Sequence, residues 1–131
     1  MAKAKQKLGP NQRAWLRALR SGKYKQGRDS LTRIVDGKEK HCCLGVLCLV
    51  AGMKGRPSFD DSPSLAYGAR GYTNTTDAPP KAMRFVALRD CNGERLDGEA
   101  SLTMCNDRGK SFAWIADRIE KEPEQYFTKA R

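Results

Sequence analysis

The side chains best suited to chemistry lie close together: His41, Cys42 and Cys43 are consecutive, Cys48 follows, and Cys91 and Cys105 come later. Imidazole and thiolate are zinc ligands, and a thiolate beside an imidazole base is a nucleophile. The spacing argues against both uses. Neighbouring side chains point to opposite sides of a strand, or about 100° apart on a helix. No Cys-x2-Cys or His-x3-His pair is present. Consecutive residues rarely converge on one substrate atom, and no third group is at hand to orient His41 as a base. The expectation is therefore no metal, no cofactor and no enzymatic activity, with the cysteines acting as small apolar core residues. A small enzyme using Cys43 or a zinc site formed by His41, Cys42, Cys43 and Cys48 is the least favoured alternative.

Residues 106–111, Asn-Asp-Arg-Gly-Lys-Ser, combine a glycine with a helix-capping serine, a setting that favours anions. The P-loop spacing is missing, as are the alternating carboxylates of a calcium loop, so a turn followed by a helix cap is the simpler reading. Asp97, Glu99 and Asp107 form no pattern that marks an acid/base pair.

The charge distribution is more informative. Residues 1–56 hold 14 Lys and Arg against three acids (Asp29, Asp36, Glu39), a net charge of +11, whereas residues 57–131 hold 11 bases and 12 acids. Arg13, Arg17 and Arg20 are spaced i, i+4 and i+7, so a helix places them on one side, and Lys23, Tyr24, Lys25 and Arg28 follow directly. Guanidinium groups bind phosphates in bidentate fashion and tyrosine stacks on bases, so these seven residues form the expected polyanion-binding surface. Five neutralised phosphates on a duplex would give a log–log salt slope of about −4.5. The same patch would also serve an inhibitor docking on an acidic protein, with Phe59, Tyr67 and Tyr72 as anchors.

Those residues must be positioned by a small number of elements. Gly9-Pro10-Asn11 and Gly22 bracket a helix over residues 11–21 with Trp15, Leu16 and Leu19 buried. Residues 31–35 and 38–42 flank Asp36-Gly37, a favoured two-residue hairpin turn. Residues 43–51 are almost wholly apolar and predict a central buried helix. Gly, Pro, Ser, Asp and Thr dominate residues 53–78, which read as a long irregular loop. Pro79-Pro80 opens a further helix, residues 102–105 a short one, and Ser111 caps a last one carrying Phe112, Ile115, Ala116 and Ile119 before Pro123. The expected fold class is α+β and predominantly helical: about four helices around a central apolar helix, with one small β-hairpin. Residues 1–9 read as a basic flexible tail and residues 10–131 as a single globular domain. No apolar run is long enough to span a bilayer. Five cysteines without a secretory signal indicate free thiols in the cytoplasm.

Three blocks carry a resemblance: Trp15 with residues 18–27 (Ala-Leu-Arg-Ser-Gly-Lys-Tyr-Lys-Gln-Gly), residues 41–48 (His-Cys-Cys-Leu-Gly-Val-Leu-Cys), and residues 102–120 with Asn106-Asp107, Gly109, Ser111-Phe112 and Ile115-Ala116-Asp117. In this order they resemble a group of small phage and prophage proteins, mostly of unassigned function. The chain departs from that group's pattern at His41 and Cys105. The resemblance implies phage origin and action in a bacterial host, and brings no activity or catalytic residues with it; the expectation built on that setting is a cytoplasmic phage accessory protein of host takeover or anti-defence. Combined with the basic patch, it gives host nucleic acid or a nucleoprotein complex as the expected partner, with an acidic host protein as the alternative.

Overall fold

The computed structural model describes residues 6–58, 63–68 and 75–131. The first helix, α1 (Pro10–Arg20), begins where Pro10 occupies the first helical position, and the Gln12 side chain reaches back to accept from the Gly9 N–H. Its inward stripe is Gln12, Trp15, Leu16 and Leu19. Gln12 is polar yet fully buried because its amide also donates to the Val86 and Lys129 carbonyls, both at 2.7 Å.

Strands β1 (Thr32–Val35) and β2 (Lys38–His41) form the expected hairpin, with Asp36 and Gly37 both at positive φ in the turn. Helix α2 (Cys43–Val50) follows at once and is the centre of the core: Cys43, Leu44, Val46, Leu47 and Cys48 are fully excluded from solvent. Gly45 allows this helix to lie on the entry to β1, since a Cβ there would sit 1.8 Å from the Leu31 carbonyl oxygen.

A predominantly helical fold with one small hairpin is not the observed architecture, although the number of helices is close to that expected. Among the described residues there are five α-helices and a four-stranded antiparallel sheet in the order β2-β1-β4-β3. The two extra strands, β3 (Arg56–Pro57) and β4 (Ser64–Ala66), lie in the stretch expected to be an irregular loop. They are two and three residues long, too short to show a period of two. They form because β1 has a second edge to satisfy: Thr32 pairs with Leu65, Arg33 with Ser64, and the Ile34 N–H donates to the Pro63 carbonyl. Pro57 is tolerated on β3 because β3 is the outer strand.

Helix α3 (Pro80–Val86) stops early because Ala87 turns left-handed, closing the end with the Leu88 N–H bonded to the Met83 carbonyl. Helices α4 (Leu102–Asp107) and α5 (Phe112–Lys121) are capped by the hydroxyls of Ser101 and Ser111, and Pro123 follows α5. Helix α1 packs between α2 and α5, and α4 bridges α2 and α5. No helix among the described residues is long and apolar enough to cross a membrane.

Candidate functional site

The sheet has two chemically different faces. Thr32 and His41, directly opposite each other, turn inward; the Thr32 hydroxyl lies 2.7 Å from His41 Nδ1 and 2.7 Å from the Tyr67 hydroxyl. His41 is therefore occupied by a buried polar line rather than by the cysteines, and burial lowers its pKa against the weaker opposing pull of Glu39. Tyr67 is buried at the end of that line, which removes it as a surface anchor. Phe59 and Tyr72 lie outside the described residues.

Cys42, Cys43, Cys48 and Cys105 are core groups, whereas Cys91 is half-buried outside the core. The Cys42 sulfur caps α2 by accepting from the Gly45 N–H, and Cys43 Sγ approaches the Leu102 carbonyl at 3.7 Å. Burial pushes the Cys42 thiol up to about 11 and Cys48 to about 12, and holds Cys43 well above its ordinary value. A thiol must ionise to attack or to bind metal, and these surroundings oppose ionisation. No group of three or more His, Cys, Asp or Glu among the described residues is placed to hold a metal.

The outward face of the hairpin is cationic. Arg33 and Lys40 are directly opposed across the strands, and Lys38 lies on the same face. Like charges so placed repel by a few tenths to about 1 kcal/mol. Neither has an ion pair among the described residues. The loop over residues 25–29 runs along this face: the His41 N–H donates to the Lys25 carbonyl, and the Gly27 N–H to the His41 carbonyl at 2.7 Å. Gly27 is required there, because a Cβ would come within 2.8 Å of Lys40 Cβ. Between loop and strands lies a cleft of about 640 Å³ whose charged lining is Arg28, Arg33 and Lys40 against Asp29 and Asp36.

The loop is fastened from below by the Asn106-Asp107 pair. Asn106, fully buried, accepts from the Gln26 amide and the Cys43 N–H and donates to the Gly27 carbonyl at 2.7 Å; Asp107 accepts from the Asp29 N–H. Gln26 also donates to the Lys110 carbonyl. The end of α4 and the turn after it thus do more than cap a helix: together they set the shape of the cationic loop. The polar Asn106 inside an apolar helical pattern was the available sequence signal.

The seven residues expected to form one surface are divided. Lys23, Lys25 and Arg28 are exposed on the loop. Tyr24 is half-buried and packs edge-on against His41 at 5.7 Å, with the Lys23 ammonium over its ring, so the contact with His41 rather than a free face occupies its position. Arg20 is taken by α5, at 2.7 Å from Asp117 and 3.2 Å from Glu120. Asp117, through its hydrogen bond, is the main reason its pKa is raised. Arg13 donates to the Leu8 carbonyl, and Arg17 is exposed without an ion pair among the described residues. Arg33 and Lys40, which are not among the seven, line the cleft with Arg28.

Away from the cleft, Arg95 is a buried cation whose guanidinium meets Asp97 at 2.7 Å, Glu122 at 2.6 Å and the Tyr126 hydroxyl at 2.8 Å. Arg95 holds the Asp97 carboxyl at about 2, which makes that acid a structural partner.

No curated protein and no solved structure matches the chain. A family profile matches residues 10–123, which include α1, the hairpin, the loop and the Asn106-Asp107 clamp. The chain belongs to that family, described as a domain of unknown function (DUF8296).

Proposed function

We propose that this protein binds nucleic acid through the cationic cleft, using Arg28, Arg33 and Lys40 as its centre and Lys23, Lys25 and Lys38 around it. The reading rests on one observation: Arg33 and Lys40 face each other across the hairpin, and neither has an ion pair among the described residues although Asp29 and Asp36 also line the cleft. A pair that repels its own partner in the free protein gains most from an incoming phosphate, which removes the repulsion and adds two attractions. Arg13 and Arg17 extend the surface, while Arg20 belongs to the α1–α5 contact and contributes little. The resemblance to phage and prophage proteins supports a bacterial host as the setting.

The test is the salt dependence of binding to an oligonucleotide. Five contacts on a single strand give a log–log slope of about −3.5, and removing two lowers its magnitude by about 1.4. An Arg33→Ala/Lys40→Ala variant should show that reduction and an Arg20→Ala variant should not. Binding without salt dependence, or equal slopes in the two variants, would overturn the proposal, and retention only of an acidic protein after nuclease treatment would place the partner in the other class.

A further inference from the structure

We propose, resting on the reading above, that the nucleic acid is single-stranded and that Trp114 is the residue on which one of its bases stacks. Trp114 lies in the first turn of α5, where its neighbours Phe112 and Ile115 are buried and its own side chain remains 37% exposed. An indole left on the surface forgoes a large burial gain, so its position calls for an explanation. Two cations frame the ring: the Lys110 ammonium at 4.9 Å and the Arg118 guanidinium at 5.5 Å from its centre. Arg118 is tied to Glu99 at 2.8 Å, whereas Lys110 has no ion pair among the described residues.

The ring is continuous with the cleft. The loop that forms one wall of the cleft donates from Gln26 to the Lys110 carbonyl and from the Asp29 N–H to Asp107. The Arg28 guanidinium lies against the turn, with Nη2 3.1 Å from where a Gly109 Cβ would be. The surface therefore runs from Arg33 and Lys40 to Arg28, across Gly109 to Lys110, and reaches the indole within one helical turn. Side chains on a helix lean toward its N-terminus, which brings Trp114 back over Lys110. A row of cations ending at a partly exposed indole is the combination that holds an unpaired strand: phosphates follow the cations, and a base takes the place over the ring that the unpaired Lys110 ammonium holds in the free protein. In a duplex the bases are stacked on one another and that face has nothing to receive.

Trp15 is wholly buried and out of reach of a stacking base, so quenching of the intrinsic emission that disappears in Trp114→Phe is the signal of Trp114. Titration of the full chain with oligothymidylate or oligouridylate should quench that emission, and the duplex of oligothymidylate with oligoadenylate should bind more weakly and quench little. Comparing the deoxy and ribo strands distinguishes DNA from RNA as the source of the strand. Trp114→Ala should weaken single-strand binding about tenfold at constant salt slope, and Trp114→Phe should recover most of it. Wild-type affinity in Trp114→Ala with a normal slope would overturn the stacking role alone. A duplex bound as tightly as the single strand would overturn the strand preference. Loss of salt-dependent binding to every probe would remove the underlying nucleic-acid reading as well.

Discussion

Two sets of cations among the described residues differ in their company. On the side built from α1, α5 and the C-terminal segments, each structural cation has carboxylates: Arg95 has Asp97 and Glu122, Arg20 has Asp117 and Glu120, and Arg118 has Glu99. On the hairpin and its loop, Arg28, Arg33 and Lys40 line an open cleft with no such pairs among the described residues. Paired cations have their electrostatic energy committed to the fold. Unpaired and mutually repelling ones have not committed theirs, which is why the proposed function is placed there. The comparison therefore predicts opposite outcomes when cations from the two groups are removed.

The largest effect is expected at Arg95. Its side chain is almost wholly buried, and replacing it with Met leaves Asp97, Glu122 and the Tyr126 hydroxyl without their common partner. A loss of about 3 kcal/mol follows, read as a lower urea midpoint at unchanged slope. A midpoint within error of wild type would break the distinction between the two groups. Next is Asn106→Ala, which orphans the Gly27 carbonyl and the Cys43 N–H and should cost about 2 kcal/mol. Because it also releases the loop, oligonucleotide affinity should fall more than it does for an equally destabilised core variant such as Leu102→Ala.

Lys40→Glu sharpens the comparison from the other side. It turns the repelling pair with Arg33 into an attractive one, so stability should stay level or rise by about 0.5 kcal/mol while nucleic-acid binding is lost. A variant that is both less stable and fully competent in binding would contradict the assignment of that face. The smallest effect concerns pH. His41 is held neutral by burial, with its pKa below the ordinary 6.5. Below about 6.5 the unfolded chain takes up a proton that the folded chain refuses, so stability declines as pH falls through that range. The decline should be absent in His41→Asn, as read from urea midpoints across pH 5 to 7 on the order of single units. Asp97 acts lower, because its folded value of about 2 lies under the unfolded one: its contribution is complete above about 4 and is lost as pH falls toward 2.

Much of the local structure was legible from residue types. Ser111 and Pro123 bracket α5, Asp36-Gly37 makes the hairpin, and the apolar run after Cys43 is the core helix. The patterns are strong there because capping, turn geometry and burial act on neighbouring residues. The sheet's outer half was not legible. Arg56-Pro57 and Ser64–Ala66 carry no strand signal, and they pair because β1 offers an unfilled edge. The seven-residue basic surface was half legible for a related reason. Helical spacing correctly aligned Arg13, Arg17 and Arg20, but it could not show that Asp117 and Glu120, about a hundred residues away, would claim the last of them.

By itself the sequence determined that the excess positive charge lies in residues 1–56, that the cysteines have no metal-ligand spacing, and where most of the helices begin and end. These follow from composition and from interactions a few residues long. Only the tertiary structure decided which cations are spent and which are open, because that depends on acids brought from distant parts of the chain. The two-residue turn already sets Arg33 against Lys40, but the tertiary structure alone fastened the loop with Asn106 and Asp107 and led the cleft across Gly109 to Trp114. Charge is a property of residues, but its availability is a property of the packing around them.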